Sequence, residues 1–140
     1  MIDILSTFFG NIKKNKNFKD LDKLDKLEYL NLNENRIQVI PKFANLKEIY
    51  QLILSENNIS KIDFSDFKKL KNIKSLSLYD NKINSIEGFE HLKELTNLKQ
   101  IRINDNPICQ NLHTQKKYSI FNRHKKNEFI PKKHKKLFYF

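Results

Sequence analysis

The sequence predicts an α/β solenoid, with a curved parallel β-sheet on its concave side and short helices or 3-10 turns on its convex side. Three observations predict it. Asparagines stand at 35, 57, 81 and 106, so one defined position recurs every 22, 24 and 25 residues. Three and five residues before each asparagine stand two apolar residues: Leu30 and Leu32, Leu52 and Leu54, Leu76 and Leu78, Ile101 and Ile103. Residues two apart share one face of a strand. Between these strands the apolar residues fall at threefold spacing (Phe43, Leu46, Ile49; Phe67, Leu70, Ile73; Phe89, Leu92, Leu95, Leu98), which suits one turn of helix or 3-10 helix. One such unit cannot bury its own apolar face, and stacked units can.

Taken in order, each unit starts on an apolar place one and has apolar residues at places four, six, eleven and fourteen and asparagine at nine. Leu27, Leu30, Leu32, Asn35, Ile37 and Ile40 form the first copy. Ile49, Leu52, Leu54, Asn57, Ile59 and Ile62 form the second. The third is Ile73, Leu76, Leu78, Asn81, Ile83 and Ile86, and the fourth is Leu98, Ile101, Ile103, Asn106 and Ile108, with Pro107 inserted. Before them, Phe18, Leu21, Leu24 and Leu27 repeat the threefold spacing, so residues 1–26 read as an N-terminal cap or degenerate repeat. Leu5 and Phe8 lie one period upstream of Leu27 and Leu30, where an extra strand is conceivable. Residues 27–106 hold four repeats and residues 107–140 a basic C-terminal cap, all in a single domain of 140 residues. With only 2 Gly and 3 Pro, asparagine has to make the turns, through its side-chain hydrogen bonds to backbone.

The pattern resembles the leucine-rich repeat, whose period is about 20–29 residues. That resemblance implies that Asn35, Asn57, Asn81 and Asn106 point inward and satisfy backbone groups of adjacent coils. The stretch KSLSLYDNKINSIEGFEHLKELTNLKQIRINDNPI is similar to short intracellular members. These are the acidic leucine-rich nuclear phosphoproteins, the spliceosomal U2 A-prime protein, the leucine-rich phosphatase-1 regulator and the axonemal dynein light chain. Asn106, Pro107, Ile108, Tyr118, Ile120, Phe121, Ile130 and Pro131 resemble the C-terminal cap of that class, with Ser119 where the class has arginine. Leu137 to Phe140 would supply a last strand or apolar plug. The resemblance implies a non-enzymatic platform that binds another protein on its concave face, in the manner of a nuclear regulatory or chromatin-associated relative.

The outward residues follow from the register. Place three holds Tyr29, Gln51, Ser75 and Gln100; place five Asn31, Ile53, Ser77 and Arg102; place seven Asn33, Ser55, Tyr79 and Asn104. Tyr29, Asn31, Ile53, Tyr79 and Arg102 are the candidate partner-binding residues, because large side chains on an outward face are interface anchors. Place eight holds Glu34, Glu56, Asp80 and Asp105, four acids that would stack into one column. Either the column receives a basic partner segment, or the place tolerates polar residues at a turn and pairs with Arg36, Lys82 or Arg102.

Charge is unevenly placed. Of the net +11, residues 27–106 contribute +1 and residues 107–140 contribute +8 (9 Lys+Arg against Glu128). The alternative function is therefore a ribonucleoprotein or nucleic-acid component using Arg123, Lys125, Lys126, Lys132, Lys133, Lys135 and Lys136. Aromatics among them (Tyr118, Phe121, Phe129, Phe138) serve either as cap core or as base-stacking groups. Catalytic signatures are absent from the sequence: Cys109 and His113 lack a third, orienting group, and His91, His124 and His134 complete no metal set. No cofactor is implied. A single cysteine and the lack of a basic, apolar leader point to an intracellular chain, nuclear or cytoplasmic, monomeric by itself and independent of membranes.

Overall fold

The computed structural model describes residues 21–40, 42–43, 45–85, 87–110 and 137–139, the last three by backbone alone. Five short strands form one sheet: β1 (Tyr29–Asn31), β2 (Gln51–Ile53), β3 (Ser75–Ser77), β4 (Gln100–Arg102) and β5 (Leu137–Tyr139). The first four are parallel and in strict register. Tyr29, Gln51, Ser75 and Gln100 align, as do Leu30, Leu52, Leu76 and Ile101. The register is the sequence repeat itself, since a slip by one residue would turn every apolar side chain to solvent.

The sheet departs from an all-parallel one at its C-terminal edge. There β5 runs antiparallel, with Leu137 opposite Arg102 and Tyr139 opposite Gln100. The apolar run at the end of the sequence thus forms a strand along β4 and covers that edge. The cap residues Tyr118, Ile120, Phe121, Ile130 and Pro131, together with Leu5, Phe8, Phe18 and Ile86, lie outside the described residues.

The return path explains the threefold spacing. The N–H of each apolar residue donates to the carbonyl of the apolar residue three before it. This holds for Leu24 to Leu21 and Leu27 to Leu24, then Leu46 to Phe43 and Ile49 to Leu46. It holds again for Leu70 to Phe67, Ile73 to Leu70, Leu95 to Leu92 and Leu98 to Leu95. An i to i+3 bond is the 3-10 bond, and it aligns side chains at i and i+3 on one face. Longer 3-10 segments cover Phe64–Lys69 and Phe89–Glu94. Asp63 caps the first by accepting from the Ser65 N–H. Gly88 precedes the second at φ +84, and a Cβ there would lie 3.3 Å from the Ile62 carbonyl oxygen. No α-helix forms among the described residues. Phe43, Phe64, Phe67 and Phe89 stack along the convex side of the core, the Phe64 and Phe89 centroids 4.8 Å apart and nearly perpendicular.

Buried asparagines join the coils. The Asn57 Oδ1 accepts from Ile37 N–H, that of Asn81 from Ile59 N–H, and that of Asn106 from Ile83 N–H, at 2.9–3.0 Å. Their Nδ2 groups donate to Leu32, Leu54 and Leu78 carbonyls of the preceding coil and to carbonyls of their own. Each asparagine therefore meets backbone donors and acceptors that the short strands leave over. Asn81→Ala should cost about 3 kcal/mol in urea unfolding, because it strands the buried Ile59 N–H and removes a donor from three carbonyls; a loss under about 1 kcal/mol would contradict this role.

Candidate interaction face

The strands alternate as expected. Leu30, Leu52, Leu76 and Ile101 are buried, and the residues on either side of them point the other way, onto the concave face. Tyr29, Asn31, Ile53 and Tyr79 are half-buried there, and Arg102 is exposed. Three residues expected to point outward are nearly covered instead: Ser55 and Ser77 at 6% exposure and Asn104 at 7%. Their side chains are short and sit between longer ones, and the Ser55 and Ser77 hydroxyls share a hydrogen bond of 2.7 Å. They form the floor of the face. On β3 both outward residues are serines, flanked in register by Gln51 and Ile53 on one side and Gln100 and Arg102 on the other. The face thus carries a trough along β3. At its end the Arg102 guanidinium lies 5.7 Å from the centre of the Tyr79 ring, a cation–π pair.

The acids of place eight form the column, and their backbone explains it. Glu34, Glu56, Asp80 and Asp105 all have positive φ, at 53, 54, 48 and 59°. Left-handed backbone there swings the chain out of the strand, so that the next residue, the asparagine, points into the core. The acids' own N–H groups stay tied: Glu34 donates to the Ser55 carbonyl, Glu56 to that of Tyr79 and Asp80 to that of Asn104. Their side chains are exposed on the rim. Aspartate tolerates this backbone better than most residues, through local hydrogen bonds. Glutamate does not share that advantage, so backbone preference accounts for Asp80 and Asp105 and leaves Glu34 and Glu56 unexplained. The expected pairing with Arg36 or Lys82 does not occur among the described residues, whose ion pairs join Lys68 and His91 to Glu94 on the convex side. The negative field reaches Tyr79: the Asp105 carboxylate first, then Asp80 and Glu56, push its phenol above the usual value of 10.0.

Two features escaped the sequence reading. Asn72 and Asn97 form a second, exposed set of bridges at the entrance to the strands, donating to the Lys47 and Lys71 carbonyls at 3.1 and 2.8 Å. The signal for them was present as Asn72-Ile73-Lys74 and Asn97-Leu98-Lys99. Beside them Lys47, Lys71, Lys74 and Lys99 are exposed. Lysines therefore line the rim where strands begin and acids the rim where they end, although the array's net charge is close to zero. Arg123, Lys125, Lys126, Lys132, Lys133, Lys135 and Lys136 lie outside the described residues, as does His113. No group of His, Cys, Asp or Glu among the described residues is arranged to hold a metal ion. None of their helices is long and apolar enough to cross a membrane.

Two family models match, both described as leucine rich repeat: one over residues 26–46, the other over residues 47–108. No curated protein matches the sequence. Among solved structures, a chain of the Drosophila melanogaster SNF/U2A' complex superposes with a TM-score of 0.61 at 22% identity. The match covers 69% of this chain and 56% of that one, so the chain spans little more than half the length of that neighbour.

The left-handed place makes a direct test. Glu56→Gly should raise stability by about 0.5–1 kcal/mol, because glycine carries no Cβ penalty at φ 54°. Glu56→Val should lower it by about 1–2 kcal/mol. Equal thermal stabilities of the two variants would contradict the backbone account of this column.

Proposed function

Residues 26–108 make this chain a leucine-rich-repeat protein, and from that premise we propose that it captures another protein on the concave face of its sheet. The observation that carries the reading is Ile53. Its neighbours Leu52 and Leu54 fill the core, yet Ile53 stands on the opposite face, half-exposed beside the serine trough. Folding places no apolar residue there; a partner side chain seated over Ser75 and Ser77 would use it. Tyr29 and Tyr79 flank it as rigid, amphipathic anchors of the kind that dominate interface energetics. A face built on a stacked, hydrogen-bonded sheet loses little entropy on binding.

The charge pattern supplies orientation. A segment lying along the strands meets Lys47, Lys71, Lys74 and Lys99 at one end and Glu34, Glu56, Asp80 and Asp105 at the other. The fitting partner bears an apolar residue for the trough and basic residues toward the acidic rim. Arg102 and Asn31 add polar contacts at the two sides. Electrostatics of this kind sets register and association rate more than affinity. That a solved structure with the same fold is itself a complex accords with this use of the face.

The double variant Ile53→Lys with Tyr79→Glu should lose at least about 100-fold in affinity for proteins captured by the wild-type chain. Its circular dichroism and unfolding midpoint should change little, since both residues lie outside the core. Capture at wild-type strength by a folded double variant would refute the concave face as the site.

A further inference from the structure

The asparagine ladder has an open rung. Asn57, Asn81 and Asn106 each accept, through Oδ1, an N–H from the coil before. Asn35 is the first member of the series. Its Nδ2 donates to Leu32 and Asn33 carbonyls of its own coil. Its Oδ1 is buried and has no hydrogen-bond partner. A buried acceptor without a donor costs about 1–3 kcal/mol, and the same atom is satisfied in the other three copies. Asn35 also lacks the donation that its counterparts make to a leucine carbonyl of the preceding coil.

The three complete rungs state where the missing groups belong. The donated N–H lies 20, 22 and 23 residues before its asparagine. The accepting carbonyl lies 25, 27 and 28 residues before it. Subtracted from 35, these spacings give residues 12–15 for the donor and 7–10 for the acceptor. The two windows keep the interval of five that separates Leu32 from Ile37, Leu54 from Ile59 and Leu78 from Ile83. Residues 12–15 are Ile12, Lys13, Lys14 and Asn15, each with a free-standing backbone N–H to give; no proline intervenes.

We infer that the open side of the first coil, along β1 and Asn35, is an interaction surface whose occupant is the chain's own residues 1–20, seated as one further coil. The length agrees, because the described coils take 22 to 25 residues and 20 residues precede Leu21. Connectivity agrees as well: the Leu21–Lys23 turn starts the return path that leads into β1, as the corresponding turns lead from each coil into the next. A second copy of the chain could meet the same acceptor, but a covalently attached segment of matching length has the entropic advantage. With this coil in place Tyr29 is an interior residue of the concave face and no longer its border. The inference is independent of what that face binds.

Hydrogen exchange of the full chain, followed residue by residue by NMR, tests it. One amide within 12–15 should be protected at least about 100-fold over the unfolded chain, as Ile37, Ile59 and Ile83 are. Asn35→Ala should remove at least about 10-fold of that protection while leaving the Ile59 amide unchanged, which separates local from global loosening. Asn35→Asp keeps the acceptor and drops the donors, so it should retain the protection. Unfolded-chain exchange at 12–15 in the intact protein would overturn the proposal. So would protection indifferent to both substitutions, or protection that grows with protein concentration and so belongs to a second copy.

Discussion

The hydrogen bond from one coil's backbone N–H to the next coil's asparagine Oδ1 is the constraint on which the rest of the molecule depends. Strands of three residues leave most backbone groups of a coil unpaired, and burial of such groups without partners is prohibitively costly. Asn57, Asn81 and Asn106 absorb that demand at one point per coil, with one acceptor and two donor hydrogens on a side chain short enough to stay rigid. Their placement fixes the coil-to-coil rise, and with it the alignment of Leu30, Leu52, Leu76 and Ile101 that fills the core.

The same demand shapes the surface. To aim an asparagine inward, the chain must leave the strand abruptly, and it does so through a left-handed residue immediately before it. The side chain at that residue is thrown to the rim. Four acids at four left-handed positions make an acidic edge, and the lysines around Asn72 and Asn97 make a basic one. The polarity of the concave face is thus a product of where the ladder puts its turns. Ile53, Tyr29 and Tyr79 are different, because no backbone or packing requirement selects them.

How much of this the sequence discloses depends on whether a feature repeats. The strands, their register and the 3-10 return path were legible because Leu52, Phe67 or Ile73 each have counterparts one period away, and a packed core tolerates only one alignment. The outward direction of Ser55, Ser77 and Asn104 was legible too, but their burial was not, since burial on a concave face depends on the height of neighbours across two strands. The positive φ of Glu34 and Glu56 left no trace, because glutamate seldom marks a left-handed turn. Asn72 and Asn97 escaped notice because only two coils carry that bridge. The antiparallel course of β5 could not be read from Leu137 to Phe140, whose apolar run suits either direction.

The dependence on the asparagine bonds is open to direct observation. Through-hydrogen-bond scalar couplings, measured by NMR on the isotope-labelled chain, link an amide nitrogen to the carbon of the carbonyl that accepts from it. The account predicts resolvable couplings from the Ile37, Ile59 and Ile83 amides to the side-chain Cγ of Asn57, Asn81 and Asn106. Couplings from those amides to backbone carbonyls instead would contradict it, since the coils would then be joined by some other bond and the turns that shape the concave face would have no ladder to serve.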